Sequence, residues 1–217
     1  MPVKVGLRCI EIWQESLEEQ VRACEEEISE KGQIVFYGPS YFRRWSRLYD
    51  MTPMAEMIKA PSGKQCVINR GFGSSCAEHQ LYYYPRMIRP LAPKVLVYNS
   101  HANGACFGYS DEESWELAQR VVAYAKTDFP GIHIYLVGAH PTRDMTEADL
   151  VRKREYNDTL RAFAESTPDC TFLDVLSYEP MASKDIFVED GVHFNTHGYE
   201  LYAAFFRQAL AEELNLY

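Results

Sequence analysis

The sequence predicts an α/β fold in which helices cover both faces of a parallel sheet. Two observations lead there. Five short apolar, β-branched runs are spaced along the 217 residues, and helical patterns lie between or around them. Strands alternating with helices imply crossover connections and hence a parallel sheet. Strands buried on both faces read as nearly continuous apolar runs, as these do.

Residues 12–29 form the first pattern, an amphipathic helix with a strongly acidic face that precedes the first core strand. The strand runs are residues 33–37, 66–69, 94–99, 132–137 and 171–173, each bounded by Gly, Pro, Asn or Asp. Between the third and fourth runs, Ser110-Asp111-Glu112-Glu113 is a capping box. It is followed by an apolar stripe of Trp115, Ala118, Val121, Val122 and Ala125. A helix is predicted over residues 146–165, with Leu150, Leu160 and Phe163 among many charges. The last, over residues 196–214, turns Tyr199, Leu201, Tyr202, Phe205 and Phe206 inward. Without a repeat, a linker or a low-complexity segment, residues 1–217 read as one domain.

Composition narrows the function. A formal net charge of −9 opposes binding to a phosphate backbone, so no nucleic-acid partner is expected. No apolar run approaches the length of a membrane span, and Met1-Pro2-Val3-Lys4-Val5 opens no basic-then-apolar leader. The six cysteines, Cys9, Cys24, Cys66, Cys76, Cys106 and Cys170, form no CxxC pair, so reduced thiols in a cytoplasm are expected. Cys76 and Cys106 read as small buried thiols, and Tyr82-Tyr83-Tyr84 as packing rather than a sugar platform.

In parallel sheets ligands bind beyond the carboxyl ends of the strands, and the residues suited to chemistry fall there. Ser40 follows the first run across Gly38-Pro39, a tight turn that lifts the next side chain clear of the sheet. Asp190 and His193, three residues apart in Asp190-Gly191-Val192-His193, can share one turn, the carboxylate fixing the imidazole. Serine, base and orienting carboxylate are the parts of a serine hydrolase, recognised by role rather than chain order. The glycines of Asn69-Arg70-Gly71-Phe72-Gly73-Ser74 can turn backbone amides toward a ligand, or make a simple strand-to-helix turn. Asn103 can donate to an oxyanion, or take a left-handed turn before Gly104. His140, after the fourth run, lines the same mouth or is an ordinary loop histidine. His197, four residues after His193, offers a rival pairing for a metal, without convincing third and fourth ligands.

Together these segments resemble the SGNH, or GDSL-type, hydrolases. Phe36-Tyr37-Gly38-Pro39-Ser40 is similar to the family's strand and nucleophile turn, and Asn69-Arg70-Gly71-Phe72-Gly73-Ser74 to its Asn-x-Gly-x-Gly-Gly block. Residues 95–103 resemble the strand ending in its oxyanion asparagine, and Asp190-Gly191-Val192-His193 its closing block. The resemblance implies a three-layer α/β/α sandwich with a mostly parallel five-stranded sheet, flavodoxin-like in form. It implies ester hydrolysis through Ser40, with His193 as base and Asp190 as orienter. The oxyanion hole would comprise the amides of Ser40 and Ser74 and the side chain of Asn103, with Gly73, His101 and His140 along the substrate. Four residues depart from the family pattern: Pro39, Ser74, His101 and Gly104. Ser74 stands where a glycine is usual, and it can donate its amide there if its φ is negative.

The expected protein is thus a serine esterase for short-chain acyl esters, including O-acetyl groups on carbohydrate, using no cofactor and no metal. Two alternatives follow from the same residues. One is a silent ligand-binding module, motivated by Pro39, Ser74 and Gly104. The other is a metal-dependent hydrolase using His193 and His197.

Overall fold

A computed structural model describes residues 10–217. The Met1–Val5 segment and Cys9, on which part of the leader and thiol expectations rest, lie outside the described residues. The sheet has five strands: β1 (Ile34–Gly38), β2 (Val67–Gly71), β3 (Val95–Asn99), β4 (His133–Val137) and β5 (Cys170–Leu173). Their order is β2-β1-β3-β4-β5 and every pairing is parallel. The fold is therefore the α/β/α sandwich expected, with an all-parallel sheet.

Eight α-helices accompany the sheet among the described residues: α1 (Gln14–Glu26), α2 (Ser40–Arg43), α3 (Met54–Met57), α4 (Ala77–Met87), α5 (Asp111–Asp128), α6 (Glu147–Ser166), α7 (Thr196–Ala209) and α8 (Ala211–Leu214). Ser110 and Glu113 cap α5 reciprocally, side chain to backbone, at 3.1 and 3.0 Å. Thr146 and Asp149 do the same for α6. The predicted C-terminal helix is interrupted at Leu210 (φ −105°, ψ 17°), which divides α7 from α8. The short α2 and α3 carry too few residues for a periodic signal.

Alternation along each strand splits the core into two layers. On β1 and β3, Val35, Tyr37, Leu96 and Tyr98 join Leu17, Tyr83, Leu117 and Leu160 of α1, α4, α5 and α6. Ile34, Phe36, Val95 and Val97 face the other way, onto Phe42, Met54, Tyr202 and Leu214 of α2, α3, α7 and α8. A fully buried side chain such as Phe36 contributes about 1.5–3 kcal/mol relative to leaving it in water. This packing fixes the strand ends, and the loops beyond them carry the site.

No helix among the described residues is long and apolar enough to cross a membrane.

Candidate active site

Ser40 opens α2 directly beyond β1, and three contacts set its place. The Asn69 side chain donates to the carbonyl oxygen of Phe42 (2.7 Å) and accepts from the amide of Gly71 (2.8 Å). The hydroxyl of Tyr199 on α7 donates to the carbonyl oxygen of Tyr41 (3.0 Å). Gly71 lets the backbone of α2 pass close by: a Cβ there would lie 2.3 Å from the Arg43 nitrogen. That glycine is required by packing against the Ser40–Arg43 turn, a different reason from the one its sequence context suggests.

Asp190 and His193 lie on the loop between β5 and α7. Asp190 Oδ1 accepts the amides of Val192 (2.8 Å) and His193 (2.9 Å), closing a turn around Gly191 at φ 68°. Oδ2 accepts from His193 Nδ1 at 2.8 Å and from Arg44 at 3.3 Å. An ionised carboxylate only accepts, so Nδ1 carries the ring proton and Nε2 is left as an acceptor. Ser40 Oγ lies 2.8 Å from that Nε2. Burial pushes the Asp190 carboxyl up, but its bonds from the His193 amide and ring and the Val192 amide outweigh that and hold it at about 2. Burial lowers the His193 pKa below 6.5, Asp190 opposes the shift, and Arg44 adds to it. The resting imidazole is accordingly neutral near pH 7 and able to take a proton.

A cavity of about 190 Å³ opens at this relay, lined among others by Ser40, His193, His101, Asn103, His140 and Lys153. His140 is buried, stacks on Tyr41 with ring centroids 3.9 Å apart, and lies 2.6 Å from the Tyr202 hydroxyl. Burial, then the proximity of His101 and Lys153, keeps it far below the usual histidine range. His101 packs on Tyr156, and burial with nearby Lys153 and Arg152 lowers its pKa to about 4. Both imidazoles are neutral near pH 7. Lys153 and Arg44 were not among the sequence-predicted residues. Arg44 could have been noticed four residues after Ser40, but Lys153 lies within the charged α6 pattern, which marks no single lysine. A larger groove of about 590 Å³ lies along β2 and the end of α1, and it contains no member of the relay.

The glycine loop behaves differently from its sequence expectation. The amide of Gly73 donates to Gln20 Oε1 of α1 (2.6 Å), so Gly73 faces α1 and does not line the relay cavity. Ser74 has φ 63°, so the negative φ on which its amide donation was conditioned is not met, and Ser74 does not line that cavity either. Asn103 combines both of its anticipated roles. It sits at φ 62°, and its side-chain amide donates to the Ser75 carbonyl oxygen (2.9 Å) while lining the cavity. An amide NH₂ has two hydrogens, so one remains for a ligand.

The sequence profile of the GDSL-like lipase/acylhydrolase family matches residues 36–201, most of the chain and all of the site. The chain belongs to that family. It is therefore an ester hydrolase, acting on small-molecule esters. Solved structures of low identity share the fold. A GDSL-like lipase from Bacteroides thetaiotaomicron is 18% identical, superposes with a TM-score of 0.68, and covers 93% of this chain and 98% of its own. A lipase/acylhydrolase from Enterococcus faecalis is 16% identical, with a TM-score of 0.66 over 84% of this chain and 96% of its own. A point variant of a Geobacillus acetyl-xylooligosaccharide esterase is 14% identical, with a TM-score of 0.63 over 82% and 94%. No curated protein matches the sequence.

Within this GDSL-type site the metal pairing is not assembled. His197 points to Glu200 (3.5 Å), whereas both ring nitrogens of His193 are engaged by Asp190 and Ser40. Among the described residues, no three His, Cys, Asp or Glu side chains gather as a metal site. Of the two cysteines read as small buried thiols, Cys76 is one and Cys106 is not. Cys76 is buried, but its Sγ lies 3.3 Å from His79 Nδ1, three residues on at the start of α4. Cys106 is exposed, because it sits on a short turn beyond β3 rather than within the sheet. Tyr83 and Tyr84 are buried as packing residues, and Tyr82 is exposed.

Proposed function

We propose that this ester hydrolase acts on short-chain acyl esters, with O-acetyl groups on carbohydrates as the favoured class, through an acyl-enzyme on Ser40. The observation that carries the reading is the continuous Ser40–His193–Asp190 relay at a cavity of only about 190 Å³. A volume that small suits an acetyl or similarly short chain. The carbohydrate clause is supported by likeness to an acetyl-xylooligosaccharide esterase. The chain would act as one domain. The five described cysteines are free, which fits a reducing cytoplasm.

In this scheme Ser40 Oγ attacks the carbonyl carbon while His193 Nε2 takes its proton. Asp190 holds the imidazolium that forms. The developing oxyanion meets the amide of Ser40 and the second hydrogen of Asn103, whose side chain the Ser75 carbonyl orients. Ser74 joins them if its peptide turns. Collapse of the tetrahedral intermediate expels the alcohol, which receives the proton from His193. Water then attacks the acyl-enzyme, His193 taking its proton, and the carboxylic acid leaves as Ser40 regains its hydrogen.

Hydrolysis of p-nitrophenyl acetate and octanoate by wild type and Ser40→Ala tests this. Acetate turnover that exceeds octanoate turnover and vanishes in Ser40→Ala is expected. Turnover that survives the substitution removes Ser40 from the scheme. Covalent labelling by a fluorophosphonate, absent in Ser40→Ala, separates an active serine from a silent binding site.

A further inference from the structure

The relay cavity also holds a charge for which acyl transfer has no use. Lys153 projects from α6 into the cavity wall and is 8% exposed. Its ammonium donates to the carbonyl oxygen of His140 (2.8 Å), the one hydrogen bond it makes among the described residues. An ammonium carries three donors and a full charge, and burying it beside a single carbonyl leaves it undercompensated. Among the described residues, none of the surrounding groups forms an ion pair with it. His101 and His140 are uncharged near pH 7 for the reasons given above, and Arg152 adds positive charge. Asp149, one turn away on the same helix, attracts Lys153 from a distance while its oxygen caps α6 through Thr146. Asp190 is taken by His193 and Arg44. Burial lowers the Lys153 pKa and Asp149 opposes that shift, so in a chain of net charge −9 the cavity beside Ser40 presents an ammonium with one hydrogen-bond partner.

We propose that Lys153 forms an anion subsite, so that the enzyme selects esters carrying a carboxylate close to the scissile bond over neutral esters of the same size. The inference rests on the esterase reading of the same cavity and adds a substrate class to it. A carboxylate matches the site better than a phosphate monoester, because a single ammonium offsets one negative charge and the latter carries nearly two. The carboxylate can belong to the acyl part or to the alcohol part. A lysine that only braced the His140 loop would affect both kinds of ester alike.

The test compares kcat/KM, followed by acid release, for two pairs of similar shape. Monoethyl succinate against ethyl levulinate places the charge in the acyl part. O-acetyl-lactate against its methyl ester places it in the alcohol part. Wild type is expected to favour the anionic member of at least one pair. Lys153→Gln, which keeps a donor for the His140 carbonyl, is expected to lower that preference by about 10–100-fold, the value of a charged hydrogen bond. Equal losses on both members, or no preference in wild type, would overturn the subsite. Calorimetric titration of the same esters onto Ser40→Ala, with and without Lys153→Gln, reads the selectivity without turnover. Lys153-dependent binding preference with no Ser40-dependent turnover sinks the acyl-enzyme scheme and keeps the subsite. Ser40-dependent turnover with no preference in either assay sinks the subsite alone.

Discussion

On the His193 side of Ser40, Asp190 accepts two amides, the imidazole and Arg44, and Nε2 already faces the Ser40 hydroxyl at 2.8 Å. On the Gly71–Ser74 side and at Asn103, the groups suited to an oxyanion are less fully arranged. Gly73 donates to Gln20, Ser74 stands at φ 63°, and one hydrogen of Asn103 is spent on Ser75. The difference follows from what each half is made of. The relay pair lies within one tight turn, so neighbours in sequence supply most of its partners. The glycine loop runs beneath α1, and a partly buried amide there must find an acceptor, which α1 supplies through Gln20. The structure thus has the Ser40, His193 and Asp190 side chains in hydrogen-bond reach, while the side proposed to stabilise an anion is less complete.

The largest effect expected breaks the assembled half. Ser40→Ala and His193→Ala should each lower kcat on the order of 10⁴-fold or more, and the double variant should be little worse than either. Roughly multiplicative losses in pre-steady-state and steady-state assays would show that the two do not act as a unit. Next, Asn103→Ala should cost about 10²–10³ in kcat with little change in KM, the loss of one oxyanion donor. An effect confined to KM would make Asn103 a ground-state contact instead.

Ser74→Gly sharpens the comparison. A left-handed conformation is strained for serine and free for glycine, whereas glycine costs more chain entropy on folding. A net stabilisation of up to about 1 kcal/mol, a rise of roughly 2–4 °C in Tm, is expected by calorimetry. If the Ser74 peptide must turn to complete the oxyanion hole, kcat should rise with it. Unchanged kcat beside a raised Tm would leave Ser74 outside the reaction.

The smallest effect concerns pH. Protonated His193 cannot accept from Ser40, so kcat/KM should fall as pH drops through its pKa, below 6.5. Arg44 disfavours the imidazolium and competes for Asp190 Oδ2. Arg44→Gln should therefore raise that pKa and move the acid limb to higher pH. The pair is partly exposed and worth no more than about 1 kcal/mol, so the shift should be small. A shift to lower pH would mean that Arg44 acts on His193 by another route.

Much of this site was legible before any coordinates, and for a physical reason. Apolar runs at strand length and stripes at helical spacing report burial locally, so the five strands, the α5 cap and the α/β class could be read directly. Ser40 beyond a strand and the Asp190–His193 spacing are likewise local, and the structure brings all three together. Element limits at Leu210 and the short α2 and α3 carry no periodic signal and were not readable.

By itself, the sequence determined the layers of the fold and pointed to Ser40, Asp190 and His193 as neighbours, because periodicity and short spacing set both. Only the tertiary structure decided what surrounds them. Gln20 reaches Gly73 across 53 positions, Arg44 reaches Asp190 across 146, and Lys153 enters the cavity from α6. Those contacts depend on how each helix is rotated against the sheet, which is settled by the packing of two core layers at once and by no single stretch of chain.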